Sequence, residues 1–130
     1  MIGLSPLWFS PTPSRGRGDT HAHYINFFSY AGAAAKAMID RPSDRSAAAK
    51  TLVESLGGKL ESFYWMSGKF DGFLIAQLPD GMSAAALAAA ASSSGAFTNF
   101  ETHEIFDRDA QAQILKSAKT ATTAYKPPTA

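Results

Sequence analysis

Seven side chains between Tyr24 and His103 have the types and settings for chemistry: Tyr24, Asn26, Tyr64, Trp65, Asp71, Glu101 and His103. His103 best suits proton transfer near neutral pH, because imidazole titrates there without help from its surroundings. A lone histidine on a strand also has a plain structural role open to it. Asp71 lies in the aromatic-rich run Ser62–Phe73, "SFYWMSGKFDGF". Desolvated among rings, its carboxyl would have a raised pKa and could exchange protons. In the alternative it accepts amide hydrogens at a turn and holds a hairpin in register. Tyr64 completes the candidates for proton transfer.

Tyr24, Asn26, Trp65 and Glu101 are candidates for ligand contact instead. Asn26 is the polar exception in an aromatic strand, and a buried amide must find partners. Tyr64 and Trp65 are adjacent, so on a strand they point to opposite faces and cannot line one cavity together. Metal ligation is not expected: Glu101 and His103 share one face of one strand, and no third ligand is evident. The chain has no cysteine, which removes disulfides, thiol catalysis and thiolate metal sites. No phosphate-cradling loop is present either. "SRGRGD" precedes no helix, and Ser92-Ser93-Ser94 ends a helix rather than opening one. No residue pattern implies a cofactor.

A chain of 130 residues is expected to form one principal core. Its 45% hydrophobic and 18% charged residues suit a globular protein, and a net charge of +1 gives no electrostatic case for nucleic acid. No apolar run reaches the roughly 18–20 residues that span a bilayer. The opening segment lacks the charged start and long apolar stretch of a secretory signal, so a cytoplasmic location follows by default.

The candidate residues must be positioned by a regular scaffold. Residues 1–21, rich in Pro, Ser, Gly and Arg and including Leu7-Trp8-Phe9, read as a flexible tail. His23–Tyr30 reads as a strand, followed by a short helix "AAAKAMID". Pro42 fits the first turn of a second helix, with Asp44 near its positive end. Ala48, Ala49, Leu52, Val53 and Leu56 make the apolar stripe of that helix, and Gly57-Gly58 stops it. The runs "KLESFYWM" and "DGFLIAQL" make a hairpin across Ser67-Gly68-Lys69. Asp80 caps an alanine-rich helix that runs to Gly95, and Thr98–Phe106 reads as the last strand. A terminal helix begins near Asp107, with Ile114, Leu115, Ala118, Ala121 and Tyr125 on one face, and stops at Pro127-Pro128.

The order strand, helix, strand, strand, helix, strand predicts an α+β, ferredoxin-like βαββαβ protomer over residues 22–107. It has a four-stranded antiparallel sheet, and residues 108–130 add a C-terminal helix and short tail. A sheet covered on one side should alternate apolar and polar residues. These strands do not. Ile25 and Phe27 oppose Tyr24, Phe28 and Tyr30; Leu60, Tyr64 and Met66 oppose Phe63 and Trp65; Phe73 and Ile75 oppose Leu74 and Leu78. With both faces apolar, a second copy is expected to cover the open one, giving a homodimer through sheet faces.

"SFYWMSGKFDGF", together with "LGGKLES", "LPD" and "SSGAFTNFET", resembles the GYD-domain family, small bacterial and archaeal proteins named for a Gly-Tyr-Asp signature. Gly68, Phe70 and Asp71 occupy the signature positions, with Phe70 in place of the tyrosine. The resemblance covers His23 to Phe106 and implies a ferredoxin-like protomer of the dimeric α/β-barrel group. That group includes cofactor-free monooxygenases, isomerases, haem-degrading enzymes and ligand-sensing regulatory domains. Two functions follow as expectations. One is an oligomeric module that binds a small apolar or aromatic molecule. The other is a cofactor-independent monooxygenase- or isomerase-like enzyme using His103, Asp71 or Tyr64.

Overall fold

A computed structural model describes residues 21–129; the expected tail, apart from His21, lies outside the described residues. The chain divides after Ile105. The unit before that point contains β1 (Ala22–Tyr30), α1 (Gly32–Asp40), α2 (Arg45–Ser55), β2 (Lys59–Trp65), β3 (Gly72–Leu78), α3 (Gly81–Ser93) and β4 (Phe97–Ile105). Its strands form one antiparallel sheet in the order β2-β3-β1-β4, so the two strands of each βαβ half are separated in the sheet by one strand of the other half. This is the expected ferredoxin-like arrangement.

Alternation in β1 decides what is buried. Tyr24, Asn26 and Phe28 are buried while Ile25 and Phe27 are only half-buried. The buried face continues across the sheet through Leu74, Ala76 and Leu78 of β3, and packs against Val53 of α2 and Ala84 and Leu87 of α3. The alanines of α3 let its backbone approach the sheet closely. Among the described residues no helix is long and apolar enough to cross a membrane.

Helix starts follow from capping. The Asp80 carboxylate accepts from the Ser83 amide at 2.8 Å, and Asp44 accepts from the amides of Ser46 at 3.0 Å and Ala47 at 3.3 Å. The second cap moves the start of α2 from its expected place. With Asp44 as N-cap, Arg45 is the first helical residue and Pro42 lies in the connection before it. The stripe is narrower than expected as well: Val53 is fully buried and Ala49, Leu52 and Leu56 pack on the core, while Ala48 is exposed. At the far end Gly57 takes φ +81°, and the Gly58 amide returns to the Val53 carbonyl at 3.1 Å.

The expected side-chain phase of β2 is corrected by a bulge. Leu60 pairs with Ala76 but Ser62 pairs with Ile75, leaving Glu61 as the extra residue. Leu60 therefore joins Phe63 and Trp65 on the helix-covered face rather than Tyr64 and Met66. Glu61 is retained at the surface by polar contacts, accepting from Gln77 Nε2 and lying 3.3 Å from His23 Nδ1.

The open face carries Ile25, Phe27, Phe73, Ile75, Tyr64, Glu101 and His103, as the strand registers require. Phe70 folds back from the hairpin turn to join it, its ring 5.4 Å from that of Phe27. Phe73 stacks on Tyr64 at 5.4 Å. The helices α2 and α3 pack on the opposite face.

Beyond Ile105, α4 (Arg108–Thr122) is capped by Asp107, which accepts from the Ala110 amide at 2.8 Å. It ends earlier than expected, so Tyr125 lies past the helix. The Thr122 and Thr123 hydroxyls donate to the carbonyls of Lys119 and Thr120 at 2.7 and 2.8 Å, which competes with continuation of the helix.

Two of the three N-cap acids make the fold acid-sensitive. Hydrogen bonds from Ser46 and Ala47 hold the Asp44 carboxyl below the ordinary aspartate range, and those from Ser83 do the same for Asp80. A depressed folded-state pKa contributes stability above the unfolded value of about 3.9, and that contribution is lost as pH falls through the folded one. Asp44→Asn with Asp80→Asn keeps a capping oxygen but removes the charge. A flatter decline of melting temperature below about pH 4 is the expected result; a decline as steep as the parent's would count against it.

Candidate functional site

Where the ends of β1 and β2 meet the α1–α2 connection, the surface carries a half-open pocket of about 290 Å³ lined by Tyr30, Ala35, Met38, Ile39, Pro42, Ser43, Arg45, Trp65 and Asp71. Tyr30 is its keystone. The ring stacks on Trp65 at 5.4 Å on one side and on Phe97 at 5.1 Å on the other. Such offset stacking fixes the orientation of a side chain at a strand end, where few other restraints exist.

Asp71 fixes the backbone of the same residue. The β1–β3 ladder ends with Phe28 opposite Gly72, so the Tyr30 amide lies beyond the last strand pair. Asp71 Oδ2 accepts that N–H at 2.8 Å, while the Asp71 amide donates to the Phe28 carbonyl at 2.8 Å. A side chain thus continues the ladder by one more bond and draws the hairpin turn against β1. Arg45, the first helical residue after the Asp44 cap, lines the same pocket as Tyr30. Burial raises the pKa of this phenol; Arg45 opposes the rise by charge and hydrogen bond, and the Asp71 carboxylate adds to it. Tyr30 is therefore a neutral phenol at physiological pH.

The structure divides the seven sequence candidates into three places. Asp71 and Trp65 share the pocket. Tyr24 and Asn26 lie within the core, where Asn26 is 0% exposed. Asn26 Oδ1 accepts from Thr102 Oγ1 at 2.7 Å, and Nδ2 has no hydrogen-bond partner among the described residues. Tyr64, Glu101 and His103 lie on the open face, with Tyr64 59% exposed and His103 Nε2 3.4 Å from Glu101 Oε1. Tyr64 and His103 stand on the two outer strands, separated by β3 and β1. The three candidates for proton transfer are not gathered.

Tyr30 and Arg45 were absent from the candidates. The strand alternation places Tyr30 on the face of Tyr24 and Phe28, a usable signal; Arg45 in "RPSDR" has none, because only the N-cap geometry aims it. Removing the Asp71 carboxylate should loosen the pocket. Asp71→Ala leaves the part-buried Tyr30 amide without its acceptor and is expected to cost about 1–3 kcal/mol, whereas Asp71→Asn keeps an amide oxygen there and should cost less. Equal midpoints of urea denaturation for the two variants would refute this role.

A four-stranded antiparallel sheet in this order, with helices in both crossovers on one face, defines a ferredoxin-like α+β protein. The family model of the GYD domain matches residues 24–115, and the chain belongs to that family. No curated protein matches the chain. The signature positions have separate structural duties: Gly68 adopts φ +117° in the turn, Phe70 packs on the open face against Phe27, and Asp71 ties the turn to Tyr30. Phe70, in the place of the signature tyrosine, serves its ring contact without a hydroxyl. The matched span contains every residue that lines the pocket.

Proposed function

We propose that the protein is a homodimeric binding or regulatory module that holds a small apolar or aromatic molecule between Tyr30, Trp65 and the α1–α2 connection. The observation that carries this reading is the pocket itself: two stacked aromatic rings and an apolar wall of Met38, Ile39 and Pro42, with charge supplied by Arg45 and Asp71. A mainly apolar lining with a few placed polar groups is the usual composition of a small-molecule site. The scatter of His103, Tyr64 and Asp71 over two faces favours binding over proton-transfer catalysis.

The dimer rests on the open sheet face. Ile25, Phe27, Phe70, Phe73 and Ile75 form an apolar patch there, which a second copy of the same face would remove from water. Light scattering of the full chain should give twice the monomer mass, and Phe27→Glu should give the monomer.

Ligand binding is read from Trp65. In a Trp8→Phe background it is the only tryptophan, and its indole is 57% exposed at the pocket. Titration with single-ring compounds, both neutral and charged, should produce a saturable change in its emission that Tyr30→Ala abolishes. Absence of saturable binding by every compound in such a panel would overturn the proposal.

A further inference from the structure

We infer that the pocket selects single-ring aromatic carboxylates, with the ring held at Trp65 and the apolar wall and the carboxylate taken by Arg45 and the Tyr30 hydroxyl. This deepens the reading of the pocket as a small-molecule site and rests on it.

The charge preference follows from which polar groups still have bonding capacity. A guanidinium has five N–H donors in a planar fork that matches a carboxylate. Among the described residues no carboxylate lies within 4 Å of Arg45, and it lines the pocket beside Tyr30. Asp71 is the opposite case. Its Oδ2 accepts the Tyr30 amide at 2.8 Å, a bond that holds the hairpin against β1, and a cationic ligand pulling on the carboxylate would draw on it. The cation of this pocket has donors to spare and the acid has a structural task.

Tyr30 adds a second donor. Burial raises the pKa of the phenol, so it stays protonated at neutral pH, and its hydroxyl has a hydrogen to give. Guanidinium and phenol together offer two donors of fixed origin, one anchored by the Asp44 cap and the other by stacking between Trp65 and Phe97. A carboxylate bound to a charged donor in a part-buried setting gains more than a neutral acceptor does.

Size sets the rest. A volume of about 290 Å³ lies just below the usual range for ligand pockets, about 300–1,000 Å³, and suits a small ligand such as a single substituted ring. Ile39, Met38 and Pro42 supply the rest of the apolar lining.

The test uses the full chain carrying Trp8→Phe, with Trp65 emission as readout and benzoate, benzamide and benzylamine as probes of the same ring with negative, neutral and positive substituents. Benzoate should bind about tenfold or more tightly than benzamide, and benzylamine most weakly. Arg45→Gln, checked for folding by circular dichroism, should weaken benzoate much more than benzamide and bring the two affinities close together. Arg45→Lys, which keeps the charge but not the fork, should fall between. Benzamide binding as tightly as benzoate, or a benzoate affinity indifferent to Arg45→Gln, overturns the charge selectivity while leaving the pocket a small-molecule site. Failure of all three probes to bind overturns the selectivity together with the reading on which it rests.

Discussion

Phe28→Ala is expected to remove about 3–5 kcal/mol of folding stability, a large part of the 5–15 kcal/mol that a domain of this size has. Phe28 is 1% exposed at the centre of the covered face. Four rings surround it: Tyr30 at 5.4 Å, Phe63 at 5.6 Å, Phe97 at 5.7 Å and Phe100 at 6.5 Å. These come from β1, β2 and β4, so they cannot all shift inward to fill the space. Beneath the ring, a Cβ on Gly72 would stand 2.8 Å from Phe28 Cζ and 2.5 Å from the Tyr64 carbonyl oxygen, so even the backbone has been kept bare to admit this side chain. The truncation leaves a cavity bounded by rigid strands, and it is the cavity, added to the lost transfer energy, that puts the cost at the upper end. Because Tyr30 rests edge-on against Phe28, the pocket should weaken too, and Tyr30 should lose part of its restraint. Urea denaturation gives the stability change; a loss below about 1.5 kcal/mol would mean that the surrounding rings repack, against the rigidity inferred from their packing.

The contrast between Phe28 and its neighbour Phe27 shows how much the sequence holds. Two-residue alternation alone separates their faces, and the apolar character of both faces is legible in the same pattern. Capping chemistry was legible in the same way: Asp80 and Asp107 mark helix starts and Gly57 a stop, because each acts on amides or dihedrals within four residues of itself. What lies further along the chain was not legible. The bulge at Glu61 reverses the face of Leu60, yet it is decided by pairing with β3, some fifteen positions away. Pro42 looks like a first-turn residue until Asp44 takes the amides of Ser46 and Ala47. The pocket suffers most, since Tyr30, Arg45, Trp65 and Asp71 come from four separate segments and the bond from the Tyr30 amide to Asp71 spans 41 positions. Asp71 and Trp65 could be singled out because they sit in one aromatic-rich run. Arg45 has a common residue type and no periodic context, and only the fold gives it meaning.

Asn26→Asp is expected to make stability steeply dependent on pH, because it puts an ionisable group where the native chain has a neutral one. Asn26 is 0% exposed, pairs in register with Leu74 and Thr102, and receives one hydrogen bond, from the Thr102 hydroxyl. A carboxylate there would have a single neutral donor in place of water, so desolvation would raise its folded-state pKa well above the unfolded value of about 3.9. The sign follows directly. Below the unfolded value both states are protonated and the carboxylic acid replaces the amide at small cost; as pH rises, the unfolded chain ionises first and stability falls by about 1.4 kcal/mol per unit until the folded-state pKa is reached. With a rise of about three units, the deficit at neutral pH is about 4 kcal/mol. The double variant Asn26→Leu with Thr102→Val should show no such slope, since it removes donor and acceptor together and leaves no polar atom uncompensated. Denaturation midpoints measured from pH 3 to pH 7 distinguish the cases. If Asn26→Asp loses no more stability at pH 7 than at pH 3, water reaches position 26, and the core beneath the sheet is more open than its packing indicates.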